Sequence, residues 1–252
     1  MILDIFFFFF QAKGNFNNGE ILENKPIGFP GDGGKLKPYS NIFYWAHAWT
    51  KSKKSTIGLH PHQGFEICSF VLKGSINHFD TKQNKWINLK KGDVQIIRSG
   101  NGISHSEEIM ENSEIFQIWF DPDLSKALKN IASYNDYKAE SFQIKNSNNK
   151  SVKIIKDGDS IFKMESEEIT IKEHHFKYNL KKTSLGIIKE KVHSLFIITG
   201  KLEINSQKLD KGTFFKVHNT DELEIKILSD VILFEIISPI NPSYRTYSNS
   251  MV

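Results

Sequence analysis

The sequence predicts an all-β chain built as two tandem β-barrels with one short helical stretch between them. Three observations carry this. Short apolar runs alternate with Gly, Asn, Asp and Lys, the signature of strands and turns. Apolar residues at helical spacing are nearly absent outside residues 121–133. The two halves of the 252 residues also carry similar series of runs and turn glycines. The length suits two domains of ordinary size. A polar stretch from Tyr134 to Ser151 marks the expected boundary, giving units 1–133 and 134–252.

The chain opens with five consecutive phenylalanines, Phe6–Phe10. Asp4 interrupts the apolar run and Gln11 ends it, well short of the roughly 20 residues that cross a bilayer. No basic segment precedes it and no small-residue cleavage site follows. It reads as a strand buried on both faces or an apolar extension, and no membrane association is expected. Cys68 is the single cysteine, which excludes an intrachain disulfide and any multi-cysteine metal site. A cytoplasmic monomer is therefore expected. Hydrophobic residues at 39% and aromatics at 12% support a packed core and exclude disorder as the main state. The net charge of +4 comes from scattered residues, with no basic stripe or helix-turn-helix, so no direct nucleic-acid binding is expected.

In chain order, the first half offers strands at residues 42–49, 66–72, 76–80, 85–89, 94–98 and 114–120. Residues 121–133 look helical. Asp121 and Asp123 suit the positive end of a helix, and Leu124, Ala127, Leu128 and Ile131 form one apolar face. The second half offers strands at 152–155, 168–173, 174–179, 184–189, 194–198, 202–205, 213–217, 222–227 and 231–237. The run Phe70–Asn77 parallels Phe196–Glu203, and Lys91–Ile97 parallels Lys211–Val217. Gly74 and Gly200 fall at the same hairpin corner, where a positive φ is needed.

Chemistry concentrates in two segments of the first half, Gly58–Glu66 and Gly100–Glu107. Residues two apart on a strand share a face, so His60 and His62 can present both imidazoles to one side. His105 and Glu107 repeat this relation. Two such strands facing one interior supply three nitrogens and one oxygen, a donor set for a borderline first-row metal. Glu66, four residues beyond His62, is a rival ligand or an acceptor that fixes an imidazole tautomer.

These segments resemble the two motifs of the cupin superfamily, and their wording resembles the pirin family. The matching stretches are His60–Glu66, Gly92–Gln95, Gly100–Glu107 and Gln117–Trp119, within roughly residues 28–121. The resemblance implies two tandem cupin barrels (double-stranded β-helix, jelly-roll), the first metal-binding and the second degenerate. It implies His60, His62, His105 and Glu107 as ligands of one divalent transition metal, usually Fe(II), with Ni, Cu, Mn, Co and Zn as alternatives. It gives Glu66 an outer or structural role. It further implies a dioxygenase acting on quercetin-like flavonols, small planar aromatics, with Glu107 as the catalytic base. The alternative it implies is a non-enzymatic, iron-dependent redox sensor that binds a regulatory protein partner. The tail from Ile240 to Val252 lacks the Gly-Pro-Phe-Val-type segment of better-known pirins.

Aligning the halves on their turn glycines puts Gly186, Ile188 and Ile225 where His60, His62 and His105 stand, so no second metal site is expected. Gln117, the polar member of the run Ile115–Phe120, either lines the metal pocket or is a buried amide satisfied by backbone. Phe43, Trp45 and His47 alternate on one strand and either roof the pocket or pack the core. Gly31, Gly33 and Gly34 are not followed by the Lys-Ser/Thr of a phosphate loop.

Overall fold

The computed structural model describes residues 1–247 and 249. Period-two alternation and frequent turn residues give an almost wholly extended chain. The strands are β1 (Ile2–Phe6), β2 (Ala12–Phe16), β3 (Ile21–Ile27), β4 (Ile42–Thr50), β5 (Ser55–His62) and β6 (Glu66–Lys73). Then come β7 (Ser75–Asp80), β8 (Trp86–Lys90), β9 (Val94–Arg98), β10 (Ile103–Ile109) and β11 (Glu114–Phe120). Helix α1 (Leu124–Ala127) precedes β12 (Ser133–Tyr137), β13 (Gln143–Ser147), β14 (Lys150–Lys156) and β15 (Thr170–Phe176). The rest are β16 (Lys182–Gly186), β17 (Lys191–Thr199), β18 (Lys201–Ile204), β19 (Gln207–Asp210), β20 (Phe214–His218), β21 (Glu222–Ile227) and β22 (Val231–Pro239).

Two lobes result. The first holds Gln11–Ser141 with Met164–Ser166 and the described residues from Pro242 on; the second holds Met1–Phe10, Phe142–Lys163 and Glu167–Asn241. The sequence placed a single division between residues 133 and 134, whereas the chain crosses between lobes several times.

In the first lobe a seven-stranded sheet, β12-β9-β6-β11-β4-β3-β2, faces a four-stranded sheet, β5-β10-β7-β8. Val71 and Ile115 from the larger sheet meet Ile76, Leu89 and Ile109 from the smaller in one buried cluster. The second lobe repeats this plan with β1-β20-β17-β22-β15-β14-β13 over β16-β21-β18-β19. Its core includes Leu195, Phe215 and Leu233 from one sheet and Leu202, Leu223 and Ile225 from the other. The repeat read from the turn glycines thus has a topological counterpart: β9-β6-β11-β4 corresponds to β20-β17-β22-β15. The expectation of barrels needs correcting, because no sheet closes on itself among the described residues. Each lobe is a stack of two open sheets that share a core without a continuous hydrogen-bonded wall.

The corner glycines explain the shared turn. Gly74 (φ 69°) and Gly200 (φ 86°) are left-handed. An added Cβ would lie 2.2 Å from Ser113 Oγ in the first case and 2.0 Å from the Asp230 carbonyl oxygen in the second.

Two expectations change. The helix expected over 121–133 shrinks to Leu124–Ala127, capped by the Asp123 carboxylate accepting from the Ser125 N–H at 3.1 Å. Beyond it, Ala132 and Tyr134 are drawn into a buried cluster with Ile67 and Ile97, and residues 133–137 become the edge strand β12 on β9. Tertiary burial overrides the helical pattern there. The N-terminal run does form a strand, but on a sheet edge: β1 pairs with β20, from Ile2 opposite His218 to Phe6 opposite Phe214. Leu3, Ile5 and Phe7 pack on the second lobe's core, while Phe9 is 88% exposed. No helix among the described residues is long and apolar enough to cross a membrane.

Candidate metal centre

Strands β5 and β10 run antiparallel with His105 opposite His60 and Ile103 opposite His62. Their period-two side chains therefore meet inside the first lobe. The rings of His60 and His62 lie 4.7 Å from each other and 4.4 Å and 4.8 Å from that of His105. One ring nitrogen from each lies within 4.8 Å of the other two. The His62 and His105 Nε2 atoms face each other at 3.0 Å.

The protonation states suit a cation. His60 Nδ1 stands 2.8 Å from the Gly58 carbonyl oxygen, which only accepts, so Nδ1 donates and Nε2 keeps its lone pair. Burial first, then the neighbouring His105 and His60 rings, pushes His62 down to about 3. Burial, followed by the His60 and His78 rings, pushes His105 down to about 3. Both imidazoles are thus neutral near pH 7.

Glu107 follows His105 across a bulge in the β5–β10 pairing, and it is 1% exposed. Its Oε1 accepts from Ser69 Oγ at 3.0 Å and from Gln95 Nε2 at 3.2 Å. Its Oε2 accepts from Gln117 Nε2. A carboxylate has about four lone-pair positions, so one remains for a cation. Glu107 groups with His105 and His78, all three offering ligand atoms within 4.8 Å of one another. Four imidazoles and this carboxylate therefore form two overlapping groups, His60, His62 and His105 in one and His78, His105 and Glu107 in the other, which share His105. Neutral nitrogens plus one buried carboxylate fit a divalent transition metal.

The other expected residues separate. Gln117 does not end on backbone. It links Glu107 to Trp119, whose Nε1 donates to Gln117 Oε1 at 3.2 Å. Glu66 is fully buried away from the imidazole group, and its carboxylate grips the segment at 165–166. It accepts from the Glu165 and Ser166 N–H groups at 2.8 Å and 2.9 Å and from Ser166 Oγ at 2.5 Å. Phe43 lines a pocket, whereas Trp45 packs edge-on against Phe116, fully buried. The β11–β4 pairing shifts register between Trp119, opposite Tyr44, and Phe120, opposite Ile42, and this shift at Phe43 separates it from Trp45, so the two do not share one role. His47 turns to Glu114 at 3.3 Å.

That pocket, of about 740 Å³, is walled by Phe29, Phe43, Phe65, Trp119 and Tyr247. It adjoins the imidazoles, since the His62 ring lies 5.2 Å from both Phe65 and Trp119. The tail closes one side. Tyr244 OH donates to the Asp121 carbonyl oxygen and the Tyr247 N–H to Asp121 Oδ2, each at 2.7 Å. Burial raises the Asp121 carboxyl to about 6 despite the Tyr247 N–H.

Sequence reading missed His78 and Asp80 beside the centre. Their own i, i+2 spacing on β7 was the signal, the same that singled out His60 and His62. It also missed a buried group in the second lobe. His174 Nε2 and His193 Nδ1 flank the Glu235 carboxylate at 2.7 Å and 2.6 Å. Three well-separated strands contribute these residues, so no local pattern announces them.

Residues 35–120 match the family model described as Pirin. A putative quercetin 2,3-dioxygenase of Zymomonas mobilis is 41% identical over 70 residues, 27% of this chain and 29% of the relative. The aligned stretch thus spans less than a third of such curated relatives. The bacterial pirin YhhW of Escherichia coli, solved with nickel(II), superposes with TM-score 0.76 at 18% identity, covering 94% of this chain and 99% of that one. A quercetin 2,3-dioxygenase of Acinetobacter baumannii gives TM-score 0.76 at 16% identity, covering 95% and 88%. At such identities the structural likeness speaks for the fold alone. The sequence match falls on the lobe that holds the imidazoles and spans both motif strands, so over residues 35–120 this chain is similar to the pirin family.

Proposed function

We propose that this chain is a mononuclear metal-dependent dioxygenase acting on planar aromatic enols of the flavonol type, with Fe(II) as its metal. The observation that carries this is the cluster of three imidazoles beside an aromatic-walled pocket, one of them, His105, also grouped with the buried Glu107 carboxylate. The names of the relatives, a nickel-bound pirin and quercetin 2,3-dioxygenases, support the same reading. Both lobes are read as cupin jelly rolls, the first with the metal and the second degenerate. His60, His62, His105 and Glu107 would hold the ion.

A bound divalent ion supplies a Lewis-acid position that acidifies an enol hydroxyl and allows reaction with dioxygen. The side chains do the rest. Phe43, Phe65 and Trp119 hold a flat ring against the His62 side of the pocket. Glu107 would accept the hydroxyl proton on the lone pair otherwise turned to the ion, by partly leaving it. Gln117 steadies that carboxylate and is itself held by Trp119, so a pocket wall and the base are tied through one amide.

The test is elemental analysis of untagged protein, then aerobic assay of the iron-loaded protein with quercetin. Loss of the flavonol absorbance band is expected. A persistent band at verified full iron occupancy overturns the quercetinase reading and favours the metal-dependent regulatory one.

A further inference from the structure

His78 and Asp80 lie on β7, where the register sets His78 opposite Glu107 and Asp80 opposite His105. Directly paired residues share a face, so all four point inward together. His78 is fully buried, and Tyr134 stacks on its ring at 4.7 Å with the planes 10° apart.

The hydrogen bonds define its tautomer. His78 Nε2 lies 2.8 Å from Asp80 Oδ2. Asp80 Oδ1 accepts from the Lys82 and Gln83 N–H groups at 2.8 Å and 2.7 Å. Burial opposes its charge, but these three donors hold Asp80 below the ordinary carboxylate value. A carboxylate accepts, so His78 carries its proton on Nε2 and a bare lone pair on Nδ1. That Nδ1 is buried and has no hydrogen-bond partner among the described residues. His105 Nδ1 is in the same condition.

The two orphans complement each other. An imidazole that gives its Nε2 lone pair to a cation keeps its proton on Nδ1, and that N–H needs an acceptor. The His78 and His105 rings lie 5.7 Å apart. That is a span closed by a small rotation or by one bridging water. We propose that Asp80 and His78 are a positioning pair that sets the tautomer of His105. Asp80 keeps the proton on His78 Nε2, His78 Nδ1 accepts from His105 Nδ1–H, and His105 Nε2 stays bare toward the cation. A buried pair with a purely architectural role gives no reason for a lone pair left beside a ligand imidazole.

The inference rests on the metal reading of the site. Imidazole nitrogen NMR of the zinc-loaded full chain reads the tautomers directly. His105 protonated on Nδ1 and His78 protonated on Nε2 are expected; a His78 proton on Nδ1 overturns the proposal. Asp80→Asn and His78→Gln are then titrated with Co(II). Each is expected to bind about 10–100-fold more weakly, with shifted Co(II) absorption bands. Unchanged affinity and bands in a folded variant overturn the positioning role. Should either variant fail to fold, the wild-type tautomers still decide. Wild-type protein that takes up neither Zn(II) nor Co(II) overturns the metal reading itself, and this inference with it.

Discussion

His60 and His105 face each other across β5 and β10, and His62 Nε2 closes on His105 Nε2. Replacing His60 or His105 by Ala is expected to abolish measurable Ni(II) binding in calorimetry. Replacing an outer partner costs less. Gln117→Leu removes one of three donors to Glu107, and about 10–100-fold weaker Ni(II) binding is expected. Equal affinity in that variant would separate Gln117 from the centre. The imidazole positions were legible because strand geometry converts an i, i+2 spacing into a shared face. The links of Gln117 were not, because β10 and β11 lie in different sheets and the Gln117–Glu107 bond depends on how those sheets pack, which no single segment encodes.

At the scale of elements, the hairpin corners and the tail carry the testable content. Gly74→Ala places a side chain at φ 69° against Ser113, and a loss of about 1–3 kcal/mol is expected in urea unfolding. A smaller loss would mean that the corner relaxes. The Tyr247 ring lies 5.1 Å from Phe43 at the pocket wall. Tyr247→Ala is expected to raise KM for an aromatic substrate while leaving Ni(II) affinity unchanged; an unaltered KM would detach the tail from recognition. Most strands from Ile42 onward were readable as short apolar runs. The helix over 121–133 was not, since its apolar face answers equally to a one-turn helix followed by a strand whose Tyr134 packs in the core.

At the scale of the whole molecule, the first lobe draws on three stretches of chain. Glu165 and Ser166 satisfy Glu66, and Tyr244 and Tyr247 bond Asp121. A fragment of residues 11–141 lacks all four. It leaves Glu66 buried without those donors, each such loss costing about 1–3 kcal/mol. The fragment is expected to unfold at much lower urea than the full chain, and an equal midpoint would show those clasps to be dispensable. The second lobe has its own polar anchor. Burial works against charge on Glu235, yet hydrogen bonds from His174 and His193 hold its carboxyl well below the ordinary value. A depressed carboxyl contributes stability that is present above its unfolded value and is lost as pH falls through the folded one. Glu235→Gln is therefore expected to cost about 3 kcal/mol at pH 7, with the gap to wild type narrowing below pH 4.5. Urea melts at several pH values measure this; a pH-independent gap would count against the ionised carboxylate.

The pairing of β1 with β20 bears on how the protein is made. Ile2 leaves the ribosome more than two hundred residues before its neighbour His218. Synthesis at about 5–20 residues per second leaves that apolar strand waiting for about ten seconds or more. Through that interval Leu3, Ile5 and the phenylalanines beyond have no β20 edge to join, so sticking is expected to concentrate in nascent chains stalled before β20.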